Sequence, residues 1–277
     1  MTAVTFTLRT ELRFPLDVSC IVPNLLQGKT KQEILNISLN YGNESIKVSE
    51  LFKISGTNTD IIRFKNSATR LTHIGASMSH GEILVEGDAG DFLGSAMSGG
   101  KIQVQGNTTC WTGASMTNGK IEVYGNTGDY MGASLQGKLA GMSGGTIIVH
   151  GNTGDRAAER MRRGTIVVFG QAGEFTACKM LAGTIIILGK TGAYIGMGMR
   201  RGTIVLARKP RRLMPTFRNC GYLKIEFLRL LFKQLASSCA TFEVFSGFGP
   251  EAVRYAGDTS CDGLGEILVL KNARSVK

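Results

Sequence analysis

Long hydrophobic runs are missing from this 277-residue chain. The longest, around Ile185 to Leu188, falls far short of the ~18–20 residues that span a bilayer. A helical membrane protein is therefore excluded. Proline is scarce, with five residues, and no strict G-X-Y triplet appears, which excludes collagen. Six cysteines (Cys20, Cys110, Cys178, Cys220, Cys239, Cys261) are scattered with no C-x-x-C. That predicts reduced, buried thiols in a cytoplasm, not a disulfide framework or a zinc site. Three histidines, His73, His80 and His150, hold no spacing for a metal or a catalytic triad. The opening residues lack the basic and apolar regions of a signal peptide, so a cytoplasmic location is expected. Charged residues at 19% and apolar residues at 43% are ordinary for a globular chain and argue against disorder.

Glycine is in excess, at 37 residues, and its placement is periodic. Gly81-Glu-Ile-Leu-Val-Glu-Gly87 returns as Gly100 to Gly106, Gly119 to Gly125, Gly145 to Gly151, Gly164 to Gly170 and Gly183 to Gly189, with a last half-unit from Gly202 to Ala207. The leading glycines are 19 residues apart except for one step of 26, which a seven-residue insertion within Leu135 to Met142 explains. A degenerate earlier coil ends near Ile74 to Met78.

Each unit opens with a β-branched segment of period two: Ile83/Val85, Ile102/Val104, Ile121/Val123, Ile147/Val149, Ile166/Val168 and Ile185/Ile187 point one way. Gly-Asn-Thr-Gly turns follow, and such residues tolerate left-handed backbone. Then come an aromatic position (Phe92, Trp111, Tyr130, Phe175, Tyr194), a patch of small residues and a methionine. No stretch of the repeat has helical period. A unit of this size cannot bury its apolar face alone, whereas stacked copies can. The expected fold is all-β: a right-handed parallel β-helix (β-solenoid) with a small N-terminal cap and a C-terminal helix packed on it. Like residues should then stand over like at ~4.8 Å per coil. Met78, Met97, Met116, Met142, Met161, Met180 and Met199 would form one core column. The aromatics would stack inside or at a corner.

Three segments follow from this reading. Residues 1–60 form a cap or docking segment, with helix expected over Lys29 to Leu39 and a further segment at Val48 to Ile54. Residues 61–209 form about seven coils, and residues 210–277 a helix and tail packing on them. The alternate strand positions are polar early (Glu82, Lys101/Gln103, Lys120/Glu122), predicting a solvated face. They become apolar later (Ile148, Val167, Ile186, Val205), predicting a cover. Leu223 to Leu235 is apolar enough to be a helix serving as that cover, with another subunit as the alternative.

The net charge of +11 is concentrated. Arg156 to Lys233 holds sixteen Lys and Arg against three acids. Arg162-Arg163 and Arg200-Arg201 occupy the same repeat positions two coils apart, and Arg160 and Lys179 share another in adjacent coils. Arg208 to Arg212 extends the basic surface past the last coil. A regular stack would display these as a cationic track suited to an extended polyanion, with a solvated face or an acidic partner subunit as the alternatives. Nucleic acid is not expected, because no groove-reading helix or exposed stacking platform is evident.

No catalytic constellation stands out. The one acid ladder, Asp91, Asp129, Asp155 and Glu174, recurs coil after coil beside the turns, which suits capping of backbone N–H groups rather than paired-carboxylate catalysis. Gly196-Met-Gly198 lacks the strand-to-helix context of a dinucleotide loop. No metal site is expected.

The Gly-x-Ile-x-Val-x-Gly coils resemble the C subunit of formylmethanofuran dehydrogenase and the C-terminal β-helix of glutamate synthase. Leu12 to Ser19, Val22 to Leu26, Pro215 to Gly221, Tyr255 to Asp258 and Gly263 to Leu268 resemble the C-subunit family over nearly the whole chain. The Leu223 to Leu235 segment is more similar to the methylotroph branch, the formyltransferase/hydrolase complex, than to the tungsten or molybdenum dehydrogenases of methanogens. The resemblance implies a non-catalytic subunit of a complex that moves a formyl group between tetrahydromethanopterin and methanofuran and releases formate. Its implied partners are amidohydrolase-like and formyltransferase subunits. Methanofuran-type cofactors carry glutamate-rich tails. The resemblance thus supplies a non-covalent ligand for the track: a polyglutamate tail on Arg160, Arg162, Arg163, Lys179, Arg200 and Arg201, since arginine binds carboxylates bidentately.

Overall fold

The computed structural model describes residues 2–238 and 247–271. The repeat produces one thirteen-stranded sheet, and a second, four-stranded sheet lies in the N-terminal region. In the large sheet, Asn58–Ser67, Glu82–Gly87, Lys101–Val104, Lys120–Val123, Ser143–Val149, Arg163–Val168, Thr184–Ile187, Thr203–Leu206 and Gly265–Leu270 are successive parallel neighbours. Their register puts Ile83 beside Ile102, then Ile121, Ile147, Ile166, Ile185, Ile204 and Ile267. All eight are buried. A second row of single parallel bridges joins Ala89, Thr108, Thr127, Thr153, Ala172 and Thr191, so the far side of each coil is stacked as well. Like residues do stand over like.

The core is a column of these isoleucines and valines with the seven methionines beside them, each fully buried. Every methionine methyl lies where the leading glycine of the following strand lacks a Cβ. A Cβ on Gly100 would fall 2.6 Å from Met78 Cε, and one on Gly164 would fall 2.8 Å from Met142 Cε. Both glycines also have positive φ, +85° and +97°, so close approach and backbone angle demand glycine together.

The stripe Ile148, Val167, Ile186, Val205 and Leu268 on the outer strand face is buried under Leu228, Phe232 and Leu235 of a helix. The cover is the expected one, but the helix runs Glu226–Ser238. It does not begin at Leu223, because Arg218–Lys224 is a strand antiparallel to Glu251–Gly257. Gly265–Leu270 then pairs in parallel with Thr203–Leu206 and adds a further rung after a long excursion. The described part of residues 210–271 therefore extends the sheet as well as covering it.

The N-terminal segment is likewise part of the main sheet. Ala3–Leu8 pairs in parallel with Asn58–Ser67, and Phe52–Ser55 closes that edge antiparallel. Phe6, Phe52 and Phe64 pack there at ring-centroid distances of 5.5 to 6.4 Å. The helix expected over Lys29 to Leu39 is shorter, Lys31–Leu35, and starts with a Thr30–Glu33 capping box. Leu39 lies instead in a strand, Ser38–Tyr41, paired with Glu44–Lys47. The seven-residue insertion bulges from the stack, with Leu139 85% exposed.

The cysteines differ from expectation. Of the five described, only Cys178 is buried; Cys20 and Cys110 are half-buried, and Cys220 and Cys261 are exposed. Cys220 lies on the solvent-facing strand Arg218–Lys224, where no coil packs over it. Cys239 lies outside the described residues.

Candidate functional site

Side-chain ladders hold two of the turns in each coil. At the first, Asn107 Oδ1 accepts from the Asn126 N–H at 2.9 Å, Asn126 Oδ1 from Asn152 N–H at 2.8 Å, and Asn152 Oδ1 from Gln171 N–H at 2.7 Å. The acid ladder does the same one step later. Asp91 Oδ1 accepts from Cys110 N–H, Asp129 Oδ1 from Asp155 N–H, and Asp155 Oδ1 from Glu174 N–H, at 2.7 to 2.9 Å. These carboxylates cap the backbone of the coil above, and their chemistry is structural.

The aromatic position forms a second column, partly exposed at a corner. His73, Phe92, Trp111 and Tyr130 stack in turn at centroid distances of 4.8, 5.9 and 4.3 Å, and Phe175 stacks on Tyr194 at 4.9 Å. Between the two halves stands Arg156, its guanidinium 6.0 Å from the Tyr130 ring and 5.0 Å from Phe175. All seven residues have left-handed φ, from 54° to 66°. Arg156 holds the same repeat position as the rings, but a search for rings alone skips it.

The six basic residues read from the sequence come together on the opposite turn. Arg162 N–H donates to Met142 O, Leu181 N–H to Met161 O, and Arg200 N–H to Met180 O, so Arg162, Leu181 and Arg200 share one column. Arg163, Ala182 and Arg201 form the next. Two coils separate the arginine pairs, ~10 Å at the spacing of β-strands. Arg160 N–H donates to Cys178 O and Lys179 N–H to Met197 O, which keeps these two in a third column. Arg162, Arg163, Lys179, Arg200 and Arg201 are exposed and Arg160 is half-buried. Among the described residues none of the six pairs with a carboxylate. The arginine pairs recur every second coil, with Leu181 and Ala182 between them.

Two further features were not read from the sequence. Glu122, expected on a solvated face, is 2% exposed. Burial pushes its carboxyl up, but His150 Nε2 and Lys120 Nζ, each at 3.2 Å, outweigh that and hold it below the ordinary range. Lys120 shares its strand, but His150 belongs to the next coil, so no local pattern announces the cluster. At the C-terminal end of the stack, a cavity of about 490 Å³ is lined by Gln171, Ala172, Lys190, Thr191, Gly192, Ala193, Arg211 and Arg212. The run Arg208 to Arg212 signalled charge there but not concavity.

Asp258 ends the small-residue corner. It is 2% exposed, and its Oδ2 accepts from Gly198 N–H at 2.9 Å while Oδ1 accepts from Ser260 N–H and Oγ. Burial opposes ionisation, but these hydrogen bonds prevail and lower its pKa. It supplies the acceptor that a next coil would otherwise provide.

Residues 19–229 match the GXGXG motif family. The chain belongs to that family. Among solved structures, a chain of the formyltransferase/hydrolase complex (FhcABCD) from Methylorubrum extorquens, crystallised in complex with methylofuran, superposes with a TM-score of 0.89. It is 34% identical, with 96% of this chain and 98% of that chain covered. Two curated relatives are C subunits of formylmethanofuran dehydrogenases. One belongs to the tungsten-containing enzyme 2 of Methanococcus maripaludis and is 33% identical over 95 residues. The other belongs to the molybdenum-containing enzyme 1 of Methanosarcina barkeri and is 36% identical over 80 residues. These alignments cover 34% and 27% of this chain and 35% and 27% of the relatives' own length, about a third or less. This GXGXG-family chain is thus a homologue of the formylmethanofuran dehydrogenase C subunits, and no helix among its described residues is long and apolar enough to cross a membrane.

Proposed function

We propose that this chain is the non-catalytic C-type subunit of a cytoplasmic formyltransferase/hydrolase complex in one-carbon metabolism. That complex moves a formyl group from formyl-tetrahydromethanopterin to methanofuran and releases formate. In this reading the coils wind as a right-handed parallel β-helix over residues 61–209, with residues 1–60 as the docking cap and 210–277 as helix and tail. Amidohydrolase-like and formyltransferase subunits do the chemistry. The observation that carries the reading is the end-to-end likeness to a chain of such a complex from Methylorubrum extorquens.

The rail of Arg160, Arg162, Arg163, Lys179, Arg200 and Arg201 holds the polyglutamate tail of the cofactor, non-covalently. Its support is the absence of ion pairs on these six side chains among the described residues, together with their columnar spacing. Bidentate contacts to successive carboxylates position the tail; no bond is made or broken on this subunit.

Expressing the chain with and without its genomic neighbours tests the reading. Stable co-purification with both subunit types and formate release only from the assembly are expected, and an active lone chain overturns it. Arg200→Glu with Arg201→Glu should raise the KM for long-tailed cofactor about tenfold at low salt and flatten its salt dependence. An unchanged KM at both salt levels removes the rail from the account. The local matches to dehydrogenase C subunits favour a second reading, the tungsten or molybdenum enzyme. Iron–sulfur and molybdopterin subunits among the co-purifying partners would decide for it.

A further inference from the structure

The row of parallel bridges on the far side of the coils stops at Thr191. Up to that point each member donates its N–H to the next coil: Thr108 to Asn126 O, Thr127 to Asn152 O, Thr153 to Gln171 O and Ala172 to Lys190 O. Each also receives a bond in return, as Gly173 N–H donates to Thr153 O and Gly192 N–H to Ala172 O. Among the described residues, the Thr191 N–H meets no acceptor and the Thr191 carbonyl no donor. The same break occurs at the ring corner. Phe92, Trp111, Tyr130, Arg156 and Phe175 all donate to the next coil, whereas Tyr194 N–H has no acceptor among the described residues. Elsewhere on this final turn Asp258 has replaced the missing coil by accepting from Gly198.

The chain crosses this end without sealing it. Residues 208–216 make no hydrogen bond with residues 189–194, and the space between them is the cavity of about 490 Å³. Beside it, sharing Ala193 and Arg212, lies a second cavity of about 320 Å³ next to Tyr194, a residue 48% exposed. Lys190, Arg211 and Arg212 line the larger one, all exposed, and no carboxylate joins them. Among the described residues none of the three forms an ion pair. Open strand-type donors and acceptors call for an extended backbone, and three uncompensated cations call for acidic side chains on it.

We propose that this end of the stack docks an extended, acidic α-peptide segment of a partner protein, which adds one more parallel rung over Thr191. One peptide carbonyl accepts from Thr191 N–H, and the N–H two residues further on donates to Thr191 O, as the coils do to one another. The peptide's carboxylates meet Lys190, Arg211 and Arg212. This site is separate from the arginine rail and stands independently of it. The α-linked backbone is specific: a γ-linked glutamyl chain has a longer repeat and cannot place its carbonyl and N–H on both sides of one residue.

Fluorescence anisotropy of fluorescein-labelled α-linked hexaglutamate on the purified full-length chain tests the proposal. Salt-sensitive binding is expected. Lys190→Glu with Arg212→Glu should weaken it about tenfold or more, while Lys29→Glu with Lys53→Glu, exposed charges away from both basic surfaces, leaves it unchanged. A hexaglutamate N-methylated at alternate residues keeps every charge but loses backbone donors, and should also bind at least about tenfold more weakly. Equal affinity for that peptide, or for γ-linked hexaglutamate on a chain whose rail carries Arg200→Glu with Arg201→Glu, overturns rung addition. Binding that follows Arg200 and Arg201 instead overturns the site while leaving the rail intact.

Discussion

The terminal methyl of Met97 occupies the place a side chain on Gly119 would need: a Cβ there would stand 2.7 Å from Met97 Cε. Gly119 also has φ +98°. Gly119→Ala should therefore destabilise the chain by about 2 kcal/mol, from overpacking and from backbone strain together. Urea denaturation checks it. Trimming the methionine in the same chain, Met97→Ala, should not restore stability, since the Gly100 carbonyl oxygen still stands 2.8 Å from that Cβ, the strain remains and a core cavity is added.

Arg156 completes the ring column between Tyr130 and Phe175. Arg156→Ala is expected to cost about 1 kcal/mol through lost stacking. Arg156→Tyr should be nearly neutral, because its column neighbours are rings already held at the same left-handed angle. Thermal melts of the two variants distinguish a stacking role from a purely electrostatic one.

Asn126 both accepts from Asn152 N–H and donates through Nδ2 to Asn107 Oδ1 at 3.1 Å. Asn126→Ala breaks the ladder in both directions and should cost about 1–2 kcal/mol. Hydrogen exchange should then quicken first at the Asn152 amide, which loses its acceptor.

Glu122 is a carboxylate whose pKa is lowered in the folded state. Such a group contributes stability above its unfolded pKa, about 4.3, and the contribution fades as pH falls through the folded value. Urea midpoints from pH 7 down to pH 3 should decline for the native chain. Glu122→Gln should start lower at pH 7 and decline less.

Phe232 sits 2% exposed over the apolar stripe of the outer strand face. Phe232→Asp should release the helix Glu226–Ser238 and uncover Ile148, Val167, Ile186 and Val205. A rise in binding of a hydrophobic dye, with the far-ultraviolet strand signal retained, is the expected result.

The stack was legible because every coil repeats the same physics. Ile and Val alternate inward, a glycine admits the methionine methyl, and Asn or Asp caps the coil above; seven recurrences of Met before Gly make that pattern hard to miss. The columns of Arg160, Arg162, Arg163, Lys179, Arg200 and Arg201 were legible for the same reason, since shared phase means shared column. What period cannot reveal is where a single coil departs from the rule. Glu122 looked solvated because Glu82, Lys101, Gln103 and Lys120 on the same strand face are polar, while its partner His150 belongs to the next coil. The rung Gly265–Leu270 carries the Gly-x-Ile pattern but lies beyond a long excursion that hides its phase. The helix start moved to Glu226 because Ile225 N–H bonds Pro250 O, a tertiary contact with no local sign.

Antiparallel strands finish the main sheet on both sides, Phe52–Ser55 at one and the pair Arg218–Lys224 and Glu251–Gly257 at the other. Length is thereby decoupled from termination. Inserting or deleting one 19-residue unit between the finished borders shifts them apart or together by ~4.8 Å without rebuilding either. Such a molecule behaves as a gauge block, setting the separation of whatever binds its two ends in steps no finer than one strand spacing.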